Sequence, residues 1–171
     1  MKPSLEEVPE WYHGYIQRVP DVELLEALTV ADKDFLSAVS ELTEEQGLYR
    51  YAPGKWSVKD VIQHISDAER VFAYRALRYA REDGTILHSF DQDEYVVKAG
   101  ADDRSIESLV TEYQAIRLAS FTLFESNLDR LGNGGKVGEN KFTVNSLGYV
   151  IAGHQLHHTD IIRDKYLAAF S

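Results

Sequence analysis

The sequence predicts an all-α fold, a four-helix bundle, on three observations. Four stretches place apolar residues three and four apart, the repeat of a single helix face. No two alternating apolar runs flank a turn, so no strand pair is expected. At 171 residues, 44% apolar and 27% charged, the chain is ordinary for a globular protein and long enough to bury one core without staples. One domain over residues 1–171 is the simplest organisation.

Residues 1–20 carry Pro3, Pro9 and Pro20 around Trp11, Tyr12 and Tyr15, and read as an irregular arm whose aromatics pack on the domain. His13 within it reads as a surface or packing residue. Pro20-Asp21 reads as a helix start with Asp21 as cap, and Leu24, Leu25, Leu28, Phe35, Leu36, Val39 and Leu42 then give helix one to about residue 45. After the Pro53-Gly54 turn, Ser57 followed by Asp60 forms a capping box for helix two, whose stripe is Val61, Ile62, Ile65, Phe72, Ala76 and Tyr79. Residues 81–104 read as a long connection, long enough for a crossover between helices two and three. Its His88, Asp91, Asp93 and Glu94 are expected to belong to a charged surface loop. Helix three runs from Ser105 to about Arg130 with Leu109, Tyr113, Ile116, Ser120 and Leu123 inward. Residues 131–142, with four glycines, read as a flexible connection into helix four, residues 143–166.

Helix four holds the chemistry. Its stripe of Leu147, Val150, Ile151, Ile161 and Ile162 includes His154 and His158, one turn apart on the same side. That spacing lets both rings reach one metal ion, although apolar helices also carry unrelated histidines, so both readings stay open. Gln155 follows His154, so the zinc-protease pattern H-E-x-x-H lacks its general base. His157 points about 100° from His158 and reads as a rim residue. On helix two, His64 lies at the edge of the apolar face, as a third ligand or as a hydrogen-bonded core residue. Asp67, one turn on, is placed to orient a ligating ring or else is a solvated carboxylate. Arg117 sits near the buried edge of helix three, where snorkelling to the surface is expected in preference to anion binding. The two Glu-x-x-His motifs of di-iron bundles are absent, which leaves a mononuclear three-imidazole site with an open position as the metal reading.

Composition excludes several classes. A net charge of −10 opposes nucleic-acid binding, which needs a basic face. Without cysteine there is no disulfide, thiolate ligand or cysteine nucleophile. No apolar run approaches the ~18 residues of a membrane span and no signal-peptide core opens the chain, so a cytoplasmic setting is expected.

The stretches YAPGKWSVKDVIQH, ERVFAYRALRYAR, SFDQDEYV and GHQLHH, spread in order over most of residues 49–162, resemble the DinB/YfiT-like superfamily of metalloenzymes. That family's metal triad, one histidine early in the second helix and an H-x-x-x-H pair in the fourth, matches His64, His154 and His158 without substitution. The resemblance implies an irregular four-helix bundle with a long crossover, a divalent metal (zinc or nickel) and frequent homodimers. Relatives include S-transferases using low-molecular-weight thiols such as bacillithiol, mycothiol or glutathione, mycothiol-dependent isomerases and metal-dependent hydrolases. The expectation drawn is a transferase joining such a thiol to an electrophilic small molecule, since a metal-held thiolate needs no protein base. Asp67 and Arg117 are its candidate catalytic residues. A hydrolase using metal-activated water, or a non-catalytic metal- or ligand-binding stress protein, are the alternatives.

A metal that binds only the folded state stabilises it by mass action, so a chelator is expected to lower the melting temperature. The core is large enough that the helical circular-dichroism signal should survive chelation.

Overall fold

The computed structural model describes residues 1–170. Seven α-helices follow in order: α1 (His13–Arg18), α2 (Leu24–Val39), α3 (Glu44–Leu48), α4 (Val58–Ala80), α5 (Gln92–Ala99), α6 (Ile106–Glu125) and α7 (Val144–Ile161). A hairpin of β1 (Gly134–Val137) and β2 (Asn140–Thr143) precedes α7. The four longest helices, α2, α4, α6 and α7, are the four expected from periodicity. α7 packs on both α2 and α4, and α4 packs also on α6. Beyond Ile161 the helix continues as a π-helical turn, Ile162–Tyr166. No described helix is long and apolar enough to cross a membrane.

The caps explain where helices start, and where the sequence expectations need correction. Ser57 and Asp60 form the predicted reciprocal box at α4, with Ser57 Oγ accepting the Asp60 N–H at 3.0 Å. Helix one begins at Leu24 rather than at Pro20-Asp21, and Glu23 at its cap makes no side-chain cap bond. It ends at Val39 rather than near residue 45, because Thr43 and Gln46 close a capping box of their own and start α3. The 81–104 connection is not all loop. Asp91 accepts the N–H groups of Asp93 and Glu94, both at 3.0 Å, and so nucleates α5. The arm is likewise partly ordered into α1, and His13 Nε2 lies 3.1 Å from the Val8 carbonyl.

The larger correction concerns residues 131–142, where a strand pair stands in place of a flexible connection. Val137 pairs with Asn140 across a two-residue turn, in which Gly138 supplies the positive φ of 57°. Gly135 is needed for space rather than freedom: a Cβ there would sit 2.2 Å from the buried Tyr79 ring. Leu87 joins the hairpin edge, donating to Lys136 O and accepting from Gly138 N at 3.0 Å each. This ties the start of the 81–104 segment to the entrance of α7.

Two apolar clusters form the core. One collects Leu24, Leu28, Phe72, Tyr79, Leu147 and Ile151; the other collects Phe35, Val61, Ile62, Ile65, Leu109 and Ile162. Between α4, α6 and α7 also runs a buried polar network. Arg117 does not snorkel as expected: it is 5% exposed and donates to Glu69 Oε2 at 2.8 Å, Gln155 Oε1 at 2.5 Å and the Leu28 carbonyl at 3.0 Å. Gln155 in turn donates to the Tyr113 hydroxyl, which donates to Asp32 at 2.7 Å. A buried guanidinium needs a counter-charge, and Glu69 on α4 supplies it where the surface is out of reach.

Removing one partner of this pair strands the other charge in the core. Glu69→Ala should therefore lower the unfolding free energy by roughly 3 kcal/mol or more in a urea titration. Glu94→Ala, which breaks an exposed α5 pair with Lys98, should leave the midpoint unchanged within error.

Candidate metal centre

α4 and α7 bring His64, His154 and His158 together at the level where one apolar cluster gives way to the other. Along α4 His64 falls between Val61 of one cluster and Ala68 of the other; along α7 and the turn after it the two histidines fall between Ala152 and Ile162. The three are 3%, 6% and 9% exposed. One ring nitrogen from each lies within 4.8 Å of the others, an arrangement able to hold a metal ion. His64 Nε2 and His154 Nε2 approach to 3.0 Å.

Burial sets the protonation state. It pushes His64 down to about 4, with the charge of His157 adding to the effect. His154 and His158 are held well below the ordinary histidine range, first by burial and then by neighbouring imidazoles. The rings are thus neutral at pH 7 and keep the lone pair a metal needs. His158 Nδ1 is buried with no hydrogen-bond partner. Three neutral nitrogen donors, one from each histidine, fit a divalent metal ion.

Aromatic side chains wall the cluster. Tyr15 stands edge-on to His154 at 5.4 Å between ring centres, Trp56 packs on His64 at 4.8 Å, and Phe72 meets His154 at 6.0 Å. Tyr15 comes from α1 of the arm, whose backbone rests on α7 at Gly153. A Cβ on Gly153 would lie 2.1 Å from the Tyr15 carbonyl oxygen, so only glycine allows this approach. The residue before His154 thereby fixes the cover over it.

The structure separates the other candidates from the triad. His157 packs on Tyr15 at 5.3 Å, half-buried at the rim and outside the converging group. Asp67 accepts from Gln63 at 3.0 Å and Arg70 at 3.3 Å, and none of the three imidazoles is its partner; burial raises its pKa. Of the two readings of Asp67, the one in which it accepts an orienting bond from a ligating ring is therefore not met. Arg117 reaches the histidine helix only through Gln155, within the polar network. Asp91 is the α5 cap, and Glu94 is taken up by Lys98.

A cavity of about 680 Å³ opens onto His64 and His154 and is lined further by Tyr12, Tyr15, Phe72, Arg75, His88 and Phe142. Sequence reasoning placed His88 on a charged surface loop in preference to a site, and passed over Arg75 and Phe142. Arg75 was accessible to it: eleven residues after His64, it returns to within about 20° of the same helix face. Phe142 was not, because its position follows from the hairpin.

Residues 27–162 match the sequence pattern of the DinB superfamily. A protein of Geobacillus thermodenitrificans (strain NG80-2) named "Putative metal-dependent hydrolase" is 27% identical over 121 residues, covering 71% of this chain. The chain spans 61% of that relative's length. The solved structure of YfiT from Bacillus subtilis, described as "a probable metal-dependent hydrolase with an unusual four-helix bundle topology", superposes with a TM-score of 0.77 over 99% of this chain and 94% of its own, at 16% identity. That similarity gives the fold: a mostly helical, four-helix bundle of the YfiT topology.

Protonating the buried rings should unfold the metal-free protein. His64 has a folded pKa of about 4 against 6.5 in the unfolded chain. Its contribution is complete above pH 6.5, is lost as the pH falls towards 4, and amounts to roughly 3 kcal/mol. Urea midpoints in the presence of a chelator should fall over that window, and less steeply in His64→Leu. Equal slopes for the two proteins would contradict the assignment.

Proposed function

The chain belongs to the DinB superfamily, and from that membership we propose that it is a metal-dependent hydrolase whose ion is held by His64, His154 and His158. The observation that carries the reading is the convergence of three buried, neutral imidazoles from two helices, two of which, His64 and His154, line an aromatic-walled cavity. The hydrolase descriptions of both relatives support it. When bound, the ion would polarise a carbonyl and lower the pKa of a water at its open position.

The chain's own residues supply the rest. His64, His154 and His158 would fix the ion, with ring orientation held by packing against Trp56, Phe72 and Tyr15 rather than by Asp67. The aromatic walls help bury the imidazoles, and low water access at the rings strengthens charge interactions beside them. No Asp or Glu lines the cavity among the described residues, and His88 on its wall meets Arg75 through its backbone carbonyl. In the overall reaction, water oxygen bonds to the substrate's acyl carbon, the carbon–oxygen or carbon–nitrogen bond breaks, and the leaving group departs with a proton from water.

The same missing carboxylate supports a second reading, transfer of a small thiol to an electrophile, because a metal-held thiolate needs no protein base. The names of the relatives support hydrolysis as the preferred reading. Elemental analysis of protein prepared without a histidine tag should find about one divalent metal per chain. His158→Ala should lose both that metal and ester or amide hydrolysis while keeping its helical signal. Hydrolysis should proceed without added thiol; metal-dependent conjugation that requires a thiol, with no hydrolysis in its absence, would overturn the choice.

A further inference from the structure

Two arginines of the described chain are almost wholly buried, and they are treated differently. Arg117, 5% exposed, is neutralised by Glu69 at 2.8 Å. Arg75, 4% exposed, has no carboxylate partner among the described residues. Its guanidinium donates to the His88 carbonyl at 2.9 Å and lies 5.7 Å from the centre of the Phe72 ring. Burial lowers its pKa against the opposing effect of Tyr12 and Tyr79, and Tyr12, a neutral phenol rather than an anion, is also a side-chain hydrogen-bond partner. Arginine does not shed its proton in proteins, so the charge stays in place, out of water and without an anion. A buried cation in that state is costly unless a partner arrives.

Where Arg75 points gives the partner's chemistry. It lines the same cavity as His64 and His154, and no Asp or Glu of the described chain lines that cavity, although the whole protein carries a net charge of −10. Between the two poles the walls are Tyr12, Tyr15, Phe72 and Phe142. His64 and Arg75 leave α4 on one face, separated by about 16 Å of helix axis, and helical side chains lean towards the N-terminus, here towards His64. The cavity thus has a nitrogen-donor end, an apolar middle and a single fixed positive charge.

We propose that Arg75 is the specificity-determining anchor of this cavity, and that its substrates are small molecules with a carboxylate terminus and an apolar or aromatic middle. The carboxylate pairs with the Arg75 guanidinium, whose planar fork suits it, while the far end of the molecule reaches the histidines. As a statement about which substrate the centre accepts, this rests on the hydrolase reading. As a statement about anion binding, it does not, and the experiment separates the two.

The probes are 3-phenylpropionate and its uncharged amide, titrated by calorimetry into metal-loaded protein and into protein stripped with a chelator. Because a carboxylate could also bind a metal, the stripped protein decides. It should bind the acid about tenfold tighter than the amide, and Arg75→Gln should bring the two within about twofold. With matched esters, Arg75→Gln should raise KM for the carboxylate-bearing ester and leave that for the neutral one unchanged. Absent ester turnover with the acid preference intact would sink the hydrolase reading alone. Three results would overturn the anchor: equal or undetectable binding of acid and amide to stripped protein, a preference that vanishes on chelation, or one that survives Arg75→Gln. Should Arg75→Gln fail to fold, the acid–amide comparison on stripped wild-type protein still decides whether the anchor stands.

Discussion

The contact of α4 with α7 is the constraint on which the rest of this structure depends. Both helices are apolar above and below the histidines, so the two clusters clamp the three rings from either end. Desolvation then removes the option of carrying charge, and the rings stand as neutral donors at pH 7. Burying three imidazoles costs free energy, and the polar nitrogen left without a partner on His158 shows that protein groups do not fully recover it. Precision at such a site comes from two rigid helices held by a core, not from loops.

α7 also divides two polar systems that a sequence places side by side. Its His154 and His158 turn to one side, while the neighbouring Gln155 turns to Arg117 and Tyr113. The buried network on that second side pairs its charge internally, Arg117 with Glu69, and Tyr113 with Asp32, although Glu69 Oε1 and Arg117 Nε find no hydrogen-bond partner. The substitution of Gln for the Glu of a zinc-protease helix is therefore not simply a lost base. At this position the side chain belongs to the core's hydrogen bonding.

The helices and the triad were legible because both depend on periodicity, which adjacent residues carry. Ser57-Asp60 announced α4, and the i, i+4 spacing of His154 and His158 announced a shared face. His64 stood as an open reading, ligand or core residue, until the resemblance of whole motifs matched it to the pair, since a contact between residues 64 and 154 has no local signature. The misses have the same root. Arg117 was expected to snorkel because its partner Glu69 lies on another helix. The glycines of 131–142 looked like flexibility, whereas Gly135 answers the bulk of Tyr79, distant in sequence. The aromatic cover over the centre, brought by Tyr15 onto Gly153, was equally invisible.

That cover bears on how a reaction can proceed. The arm, the 81–104 segment and the hairpin contribute most of the cavity wall, and Leu87 bonded to the hairpin edge joins the last two into one unit. The helices thus hold the ligand nitrogens and Arg75, and the connecting segments supply the aromatic surface and His88. Variation in the 81–104 segment and the hairpin can reshape what the cavity accepts, whereas the arm is tied to the imidazoles, its backbone resting on Gly153 and Tyr15 packing on His154. Arg75 lies on the helical side of that division: it is anchored in α4, and the carbonyl that orients it belongs to His88 in the wall of connecting segments. The charge stays where the helix puts it, while the wall sets its direction.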